Sequence, residues 1–251
     1  MKNQIPNSIT IISLIASCLA ITLTFEGKLD IAAYLLIISC ACDFFDGFTA
    51  RVLKVSNPIG KEIDSLVDMV AFGVAPGMLM FKFTKLLQEA HPSEILIQYP
   101  WLFYIVFLIP VFSAIRLAKF NIDTRQTTSF IGLAVPAHAS FYIFSVLIYL
   151  YPDLPKIIDV NNIVMPIISN PLTMLVLSVL LSLMLIAEVP MFSLKVKNLK
   201  WAENKTPLTF LFIWLTLLGL TNIVAMPTII ILYILWSILA KYINKSKQVS
   251  K

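Results

Sequence analysis

Four aspartates are spaced so that their carboxylates could act together. Asp43 and Asp46 are three residues apart, and Asp64 and Asp68 are four residues apart. Residues at these spacings lie on one face of an α-helix. Both pairs occur in or beside apolar runs, where an acidic side chain costs about 2.5 kcal/mol or more and is by default a candidate for function.

The chemistry predicted for these aspartates is the binding of hard divalent cations. The cluster contains no His or Cys, and oxygen ligands alone suit Mg²⁺, Mn²⁺ or Ca²⁺. Four negative charges would match two such ions. We therefore expect Asp43, Asp46, Asp64 and Asp68 to hold two divalent cations, Mg²⁺ or Mn²⁺, with Ca²⁺ as a non-productive occupant.

Small and cationic residues alternate with the acids. Gly47, Ala50 and Gly60 lie between the two aspartate pairs, and Arg51 and Lys61 lie beside them. Glycine costs about 1 kcal/mol relative to alanine inside a helix, which suggests that a ligand approaches the backbone here. The two cations could hold phosphate oxygens. Alternatively, the small residues serve helix packing and the cations are ordinary cytoplasmic loop residues.

The elements that position these residues are predicted to be membrane-spanning helices. Hydrophobic residues make up 59% of the 251 residues, charged residues only 13%, and mean hydropathy is +0.87. Soluble domains carry about 25% charged residues, so this composition excludes a cytosolic enzyme and predicts a polytopic membrane protein. We expect one integral-membrane domain over residues 1–251, all-α in class.

Apolar runs predict about eight transmembrane helices. Their approximate bounds are 8–25, 30–51, 60–86, 99–119, 131–151, 169–190, 207–221 and 226–243. Most of the 19 Lys and Arg residues fall in loops on the side of the N-terminus, which places both termini in the cytoplasm. The net charge of +5 is assigned to contacts with anionic lipid headgroups rather than to nucleic acid.

The hairpin between the second and third helices resembles the signature of a known family, the CDP-alcohol phosphatidyltransferases. It reads Asp43-x2-Asp46-Gly47-x2-Ala50-Arg51-x8-Gly60-x3-Asp64-x3-Asp68. The resemblance implies transfer of a phosphatidyl group from CDP-diacylglycerol to an alcohol with release of CMP, and it implies two divalent ions on the aspartates.

The resemblance also implies roles for individual residues. Asp68 is expected to be the general base, although it could equally be a fourth metal ligand, and the two roles could coexist. The donor, CDP-diacylglycerol, is expected to contact a set of residues in and around the signature: Asp43, Gly47, Ala50, Arg51, Gly60 and Lys61. Cytidine is expected to lie against the second and third helices.

Two later stretches resemble the phosphatidylserine synthase branch of the family. They are Ala114-Ile115-Arg116-Leu117-Ala118-Lys119-Phe120-Asn121 and Phe130-x-Gly132-Leu133-x2-Pro136-Ala137. The chain departs from the branch at Lys119, in place of Arg, and at Ala134, in place of Pro. The resemblance predicts L-serine as acceptor, with Arg116 pairing with its carboxylate and Asn121 and Arg125 nearby.

Two alternatives stay open at this point. Another acceptor, such as glycerol 3-phosphate, would use the same reaction, and Arg116 with Arg125 could bind its phosphate. A divalent-cation transporter is the alternative of another class, but transporter sites lie near the bilayer midplane between related halves.

Expected partners are CDP-diacylglycerol, L-serine and membrane lipids. The expected location is the cell (plasma or inner) membrane with the site facing the cytoplasm, and the resemblance alone implies a homodimer.

Overall fold

The chain folds almost entirely into α-helices, as seen in a computed structural model that describes residues 4–55, 58–123, 130–192 and 204–249. The helices are α1 (Gln4–Phe25), α2 (Leu29–Leu53), α3 (Pro58–Met69), α4 (Ala75–Ala90), α5 (Glu94–Gln98), α6 (Leu108–Ile122), α7 (Val135–Leu150), α8 (Asn161–Ile168), α9 (Pro171–Ile186), α10 (Lys205–Thr221) and α11 (Ala225–Val249). The all-α prediction is thus confirmed. The two strands, β1 (Phe130–Ile131) and β2 (Pro190–Met191), form one short antiparallel pair.

Helices α1 and α2 form an antiparallel hairpin fastened by buried hydroxyl groups. The Ser39 hydroxyl oxygen lies 2.6 Å from that of Ser13 and 2.9 Å from that of Ser17. Lipid supplies no hydrophobic drive for helix association, so small residues and interhelical hydrogen bonds hold such pairs together. This contact fixes the first helix against the helix that carries the first two aspartates.

The third long helix is continuous but changes its hydrogen-bonding pattern. A π-helical turn, Val70–Val74, joins α3 to α4 directly after Asp68. Gly73, inside this turn, and Gly77, one turn further on, lie where α6 crosses closely. A Cβ on Gly77 would come 3.0 Å from Pro110 Cδ, and one on Gly73 would come 3.2 Å from Ser113 Cβ. Glycines four apart thus allow the two helices to approach.

The core lies around α4 and α7. Phe72, Leu79, Phe83 and Tyr142 are among the fully buried side chains. Inside α7, His138 is fully buried and its Nε2 lies 2.8 Å from the Tyr142 hydroxyl. Helix α7 is therefore surrounded by protein along much of its length.

The chain is a membrane protein, but the predicted count of eight spans is not confirmed. Five stretches within the described residues are long and apolar enough to cross a bilayer: Gln4–Phe25, Leu29–Leu53, Pro58–Ala90, Pro100–Ile122 and Pro207–Leu239. A sixth is possible if α8 and α9, which bend by 83° at their junction, form one broken span. Helix α7 has 16 residues, fewer than the roughly 20 that a span needs.

The stretch Pro207–Leu239 reverses direction at its middle. The ring centroids of Phe210 and Tyr233 are 5.6 Å apart. An uninterrupted helix would separate these residues by about 35 Å along its axis. The reversal falls at the 3₁₀ turn Asn222–Val224, where Asn222 has a φ of 55°. Helices α10 and α11 therefore fold back on each other.

Candidate active site

Three of the four aspartates come together at one end of the bundle. Asp43 from α2 meets Asp64 and Asp68 from α3, and one carboxylate oxygen of each lies within 4.8 Å of the others. The short α2–α3 connection brings the two helix ends to the same depth, and the four-residue spacing places Asp64 and Asp68 on one face of α3. All three side chains are half-buried.

This carboxylate trio, as we call Asp43, Asp64 and Asp68, has the chemistry of a cation site. Two like charges about 4 Å apart repel by about 4 kcal/mol at the effective dielectric near a protein surface. A hard divalent cation removes that repulsion and prefers carboxylate oxygens. The residues present therefore fit a hard divalent cation such as Mg²⁺ or Mn²⁺. That Asp43, Asp64 and Asp68 bind such an ion stays a prediction.

Asp46 lies beside the trio in a different environment. Its side chain is only 5% exposed, and its Oδ2 accepts a 2.6 Å hydrogen bond from the hydroxyl of Thr10, which is equally buried. Asp46 contacts α1 and lines an adjoining cavity together with Asp64, and it is outside the group of three carboxylate oxygens that lie within 4.8 Å of one another. Its assignment as a metal ligand stays a prediction. Sequence reasoning missed Thr10, because no spacing rule connects residues so far apart in the chain.

The adjoining cavity has a volume of about 270 Å³ and is referred to below as the polar cavity. Its lining residues come from α1, α2, α3 and the α2–α3 connection: Pro6, Asn7, Thr10, Asp46, Gly47, Ala50, Val55, Gly60, Lys61 and Asp64. Four of the six residues predicted to bind the donor are among them, namely Gly47, Ala50, Gly60 and Lys61. The contribution of α1 was not predicted.

The other two predicted donor contacts lie next to this cavity. Asp43 belongs to the carboxylate trio. Arg51 Nη1 lies 3.8 Å from the position that a Cβ would take on Gly47, so the guanidinium group is beside the cavity wall. Because Gly47 has no side chain, the polar cavity has room beside the Arg51 guanidinium group and beside Asp46, which lines the same cavity.

The predicted acceptor residues are divided between two surroundings. Arg116 is buried, its Nε donates to the Leu133 carbonyl at 3.3 Å, and its guanidinium carbon lies 5.2 Å from the centroid of the Phe120 ring. Asn121 is exposed and donates to the Ser65 hydroxyl at 2.9 Å, which places the end of α6 beside α3 and next to Asp64. Arg125 lies outside the described residues.

The loop that receives the Arg116 hydrogen bond is held tightly against α9. Gly132 has a φ of 78°, and a Cβ there would meet the Leu185 carbonyl oxygen at 2.4 Å. Backbone N–H groups of Gly132 and Leu133 donate to the carbonyls of Val189 and Met184. Only glycine satisfies both the positive φ and the close approach. The Gly132-Leu133 stretch of the sequence thus has a structural role.

Comparisons with known proteins identify a family and several similar chains. The family model for CDP-alcohol phosphatidyltransferase matches residues 3–174. The CDP-diacylglycerol–serine O-phosphatidyltransferase of Bacillus subtilis is 34% identical over 135 residues, which cover 53% of this chain and 70% of that protein. The Helicobacter pylori (strain J99) protein of the same name is 34% identical over 145 residues, 57% of each chain.

A similar protein with a different name is also found. The archaetidylserine synthase of Methanothermobacter thermautotrophicus is 30% identical over 145 residues, which cover 55% of this chain and 58% of that protein. The family match covers well over half of the chain and includes the carboxylate trio, Asp46 and every helix-derived residue of the polar cavity. This chain belongs to the CDP-alcohol phosphatidyltransferase family.

Proposed function

We propose that this protein transfers the phosphatidyl group of CDP-diacylglycerol to L-serine, producing phosphatidylserine and CMP. The observation that carries the proposal is the carboxylate trio beside the polar cavity, because it joins a cation site to a space walled by small residues and a lysine. The relatives named as serine phosphatidyltransferases support serine as the acceptor.

The metal ions are proposed to be two divalent cations, Mg²⁺ or Mn²⁺, held by Asp43, Asp46, Asp64 and Asp68. Such ions neutralise a diphosphate and stabilise negative charge on a leaving nucleotide. The protein's part is to hold the four carboxylates in place, three of them in direct proximity and Asp46 through Thr10.

The nucleotide part of the donor is proposed to occupy the polar cavity. Gly47, Ala50 and Gly60 leave space for cytidine against α2 and α3, and Lys61 lines the same space. Arg51, beside Gly47, is positioned to contact phosphate oxygens. The diacylglycerol part must then extend from this end of the bundle into the membrane.

The acceptor is proposed to bind between the ends of α6 and α3. Arg116 supplies a buried positive charge, which pairs with the serine carboxylate, and Asn121 lies next to α3. Arg125 would complete the pocket. The serine hydroxyl then attacks the phosphorus that carries the diacylglycerol, the bond from that phosphorus to the CMP oxygen breaks, and Asp68 accepts the hydroxyl proton.

The cellular setting is proposed from the same arrangement. The carboxylate trio lies in the half of the α2–α3 pair nearer their connection, since Asp43 is past the middle of α2 and Asp64 is in the first part of the stretch that begins at Pro58. A transporter site would be expected near the bilayer midplane between related halves. We place the end that carries the α2–α3 connection in the cytoplasm and the protein in the plasma or inner membrane, with both termini cytoplasmic and residues 1–251 acting as one domain. A homodimer is the proposed assembly.

The test is release of CMP by the purified protein. CDP-diacylglycerol is supplied with Mg²⁺ or Mn²⁺ and with L-serine or glycerol 3-phosphate as single acceptors. We expect CMP and phosphatidylserine only with serine, and no turnover in excess chelator or in Asp64→Ala. Glu62→Ala, on the exposed face of the same helix, is the matched control. Equal turnover with glycerol 3-phosphate, or activity that survives chelation, would refute the proposal.

A further inference from the structure

A second and larger cavity lies within the membrane-embedded part of the protein. Its volume is about 810 Å³, and it runs between α2, α7, α10 and α11. We call it the apolar groove. Its lining includes Cys40 on α2, Ala137 on α7, Phe210 on α10, and Ile229 and Tyr233 on α11.

The chemistry of the apolar groove suits a hydrocarbon chain. Its walls are almost wholly aliphatic and aromatic, and none of the lining residues carries a formal charge. The volume lies in the range of about 300–1,000 Å³ that is typical of ligand sites. A polar or charged ligand would lose its hydration here without compensation.

The groove begins next to the reacting groups. Cys40, in its wall, precedes Asp43 by three residues on α2, so both lie on the same side of that helix. The Cys40 side chain is close enough to the Asp43 and Asp68 carboxylates to interact with them electrostatically. A molecule whose phosphate sits at the carboxylate trio could therefore place an attached chain in this groove.

Two of the four walls lie outside the part of the chain that matches the family. The match ends at residue 174, whereas α10 and α11 begin at Lys205 and Ala225. Phe192 joins the two helices through aromatic contacts. The Phe192 ring centroid lies 5.3 Å from that of Phe210 and 4.8 Å from that of Tyr233, and the Tyr233 hydroxyl donates to the Phe192 carbonyl at 2.7 Å.

We propose that the apolar groove binds an acyl chain of the diacylglycerol donor, and that α10 and α11 form the wall that limits its length. The inference rests on the proposed function, since it names the site for the lipid part of that donor. Ile229 lies one turn from Tyr233 toward the start of α11. The turn before α11 contacts the segment after α7, where the Asn222 amide donates to the Pro155 carbonyl, and α7 ends beside the start of α2, away from the trio. Ile229 therefore faces the far part of the acyl chain.

The first experiment partly fills the far part of the groove. Ile229→Trp is assayed for CMP release with dioleoyl and dioctanoyl CDP-diacylglycerol. We expect its KM for the dioleoyl donor to rise about tenfold or more, because several methylene groups lose their burial, while the dioctanoyl KM changes by less than about twofold. Leu235→Trp, on the exposed face of the same helix, is the control and should change neither. An unchanged ratio of the two KM values in Ile229→Trp would overturn the proposal.

The second experiment uses the unmodified chain and is independent of how well the variant folds. A CDP-diacylglycerol with a diazirine at the end of one acyl chain should label α10 or α11, and excess dioleoyl donor should suppress the labelling. Labelling confined to other helices would overturn the proposal. Equal labelling by a diazirine phosphatidylcholine that the donor does not displace would do so as well, since the groove would then hold bulk lipid. Absence of wild-type turnover with any donor would instead contradict the proposed function.

Discussion

Two aspartates on one helix face have different environments, and the helix geometry explains the difference. Three residues correspond to about 300° of rotation, so Asp46 points about 60° around the axis from Asp43. Asp43 therefore turns toward Asp64 and Asp68, while Asp46 turns toward Thr10 on α1. At the residue scale, the site consists of a trio of carboxylates and a fourth held by a neighbour.

The role of Asp68 can be separated from metal binding by one substitution. Asp68→Asn keeps an oxygen that can ligate a cation but cannot accept a proton. If Asp68 is the base, CMP release with serine should fall by about a hundredfold or more while donor binding is unchanged. Initial rates and binding are compared at saturating Mn²⁺, with Glu62→Gln as control. Near-normal turnover would show that Asp68 is not the base.

Thr10 is predicted to be a positioning residue for Asp46. Thr10→Val removes the hydroxyl at nearly constant volume, and a hydrogen bond to a charged group contributes about 1.5–3 kcal/mol. We expect the Mn²⁺ concentration for half-maximal activity to rise by about tenfold or more. Thr10→Ser should restore it. The measurement is the metal activation curve.

A control for the Thr10 prediction is available on the same helix. Thr22 is exposed and its hydroxyl donates only to the Cys18 carbonyl within α1 among the contacts of the described chain. Thr22→Val should therefore leave metal activation unchanged. If Thr10→Val also activates at the wild-type concentration, Thr10 does not position Asp46.

The sequence predicted those residues of the candidate site that lie close to one another in the chain. Spacings of three and four residues identified the aspartates and the small residues around Gly47, because helix geometry converts such spacing into a shared face. Contacts across the bundle have no such rule. The hydrogen bonds from Thr10 to Asp46 and from Asn121 to Ser65 depend on how helices pack, which local patterns do not encode.

At the scale of elements, the loop before α7 is predicted to tolerate little change at Gly132. Gly132→Ala would place a Cβ 2.4 Å from the Leu185 carbonyl oxygen at a residue with positive φ. We expect the free energy of unfolding to fall by more than about 1 kcal/mol, seen as a lower thermal midpoint in detergent micelles. Gly219→Ala, with no atom within 4 Å of its added Cβ, should not lower the midpoint. Equal midpoints for the two variants would contradict this account.

Hydropathy predicted most helices but not their breaks. The run predicted at 60–86 is part of one continuous stretch, Pro58–Ala90, and the run predicted at 131–151 forms a helix only from Val135. The Asn170-Pro171 junction explains the bend between α8 and α9, since the Asn170 side chain accepts from the Thr173 N–H and proline starts the next helix. Hydropathy gives the length of an apolar run but carries no information on where the chain changes direction within or after it.

At the scale of the whole molecule, the loop after α2 and the loop after α7 are predicted to lie on opposite sides of the membrane. Lys54 follows α2 at the trio end, whereas Asp153 follows α7 at the end where the Tyr151 hydroxyl donates to Asp30 at the start of α2. With Cys18, Cys40 and Cys42 replaced by alanine, a single cysteine at 153 should react with a membrane-impermeant maleimide in intact cells. A single cysteine at 54 should react only after permeabilisation.

The cysteine-free protein is the control for this labelling and should not react. The reverse pattern would place the site outside the cytoplasm and contradict the proposed orientation. Lys and Arg in the loops predict the direction of insertion, because the positive-inside bias acts on short loops. The number of spans stays a prediction, since α7 and α9 are each shorter than a bilayer crossing requires.

The π-helical turn Val70–Val74 limits which insertions and deletions the continuous helical stretch Pro58–Ala90 can accept. It contains Gly73 and places a wider turn between Asp68 and Gly77, the second glycine that contacts α6. Each residue of a helix corresponds to about 100° of rotation, so deleting one residue here would turn Gly73 and Gly77 away from α6 or the aspartates away from Asp43. Apolar substitutions within Val70–Val74 do not change the rotation of the glycines relative to the aspartates about the helix axis. Chain length between residues 68 and 77 is therefore constrained more strongly than the identity of the residues that fill it.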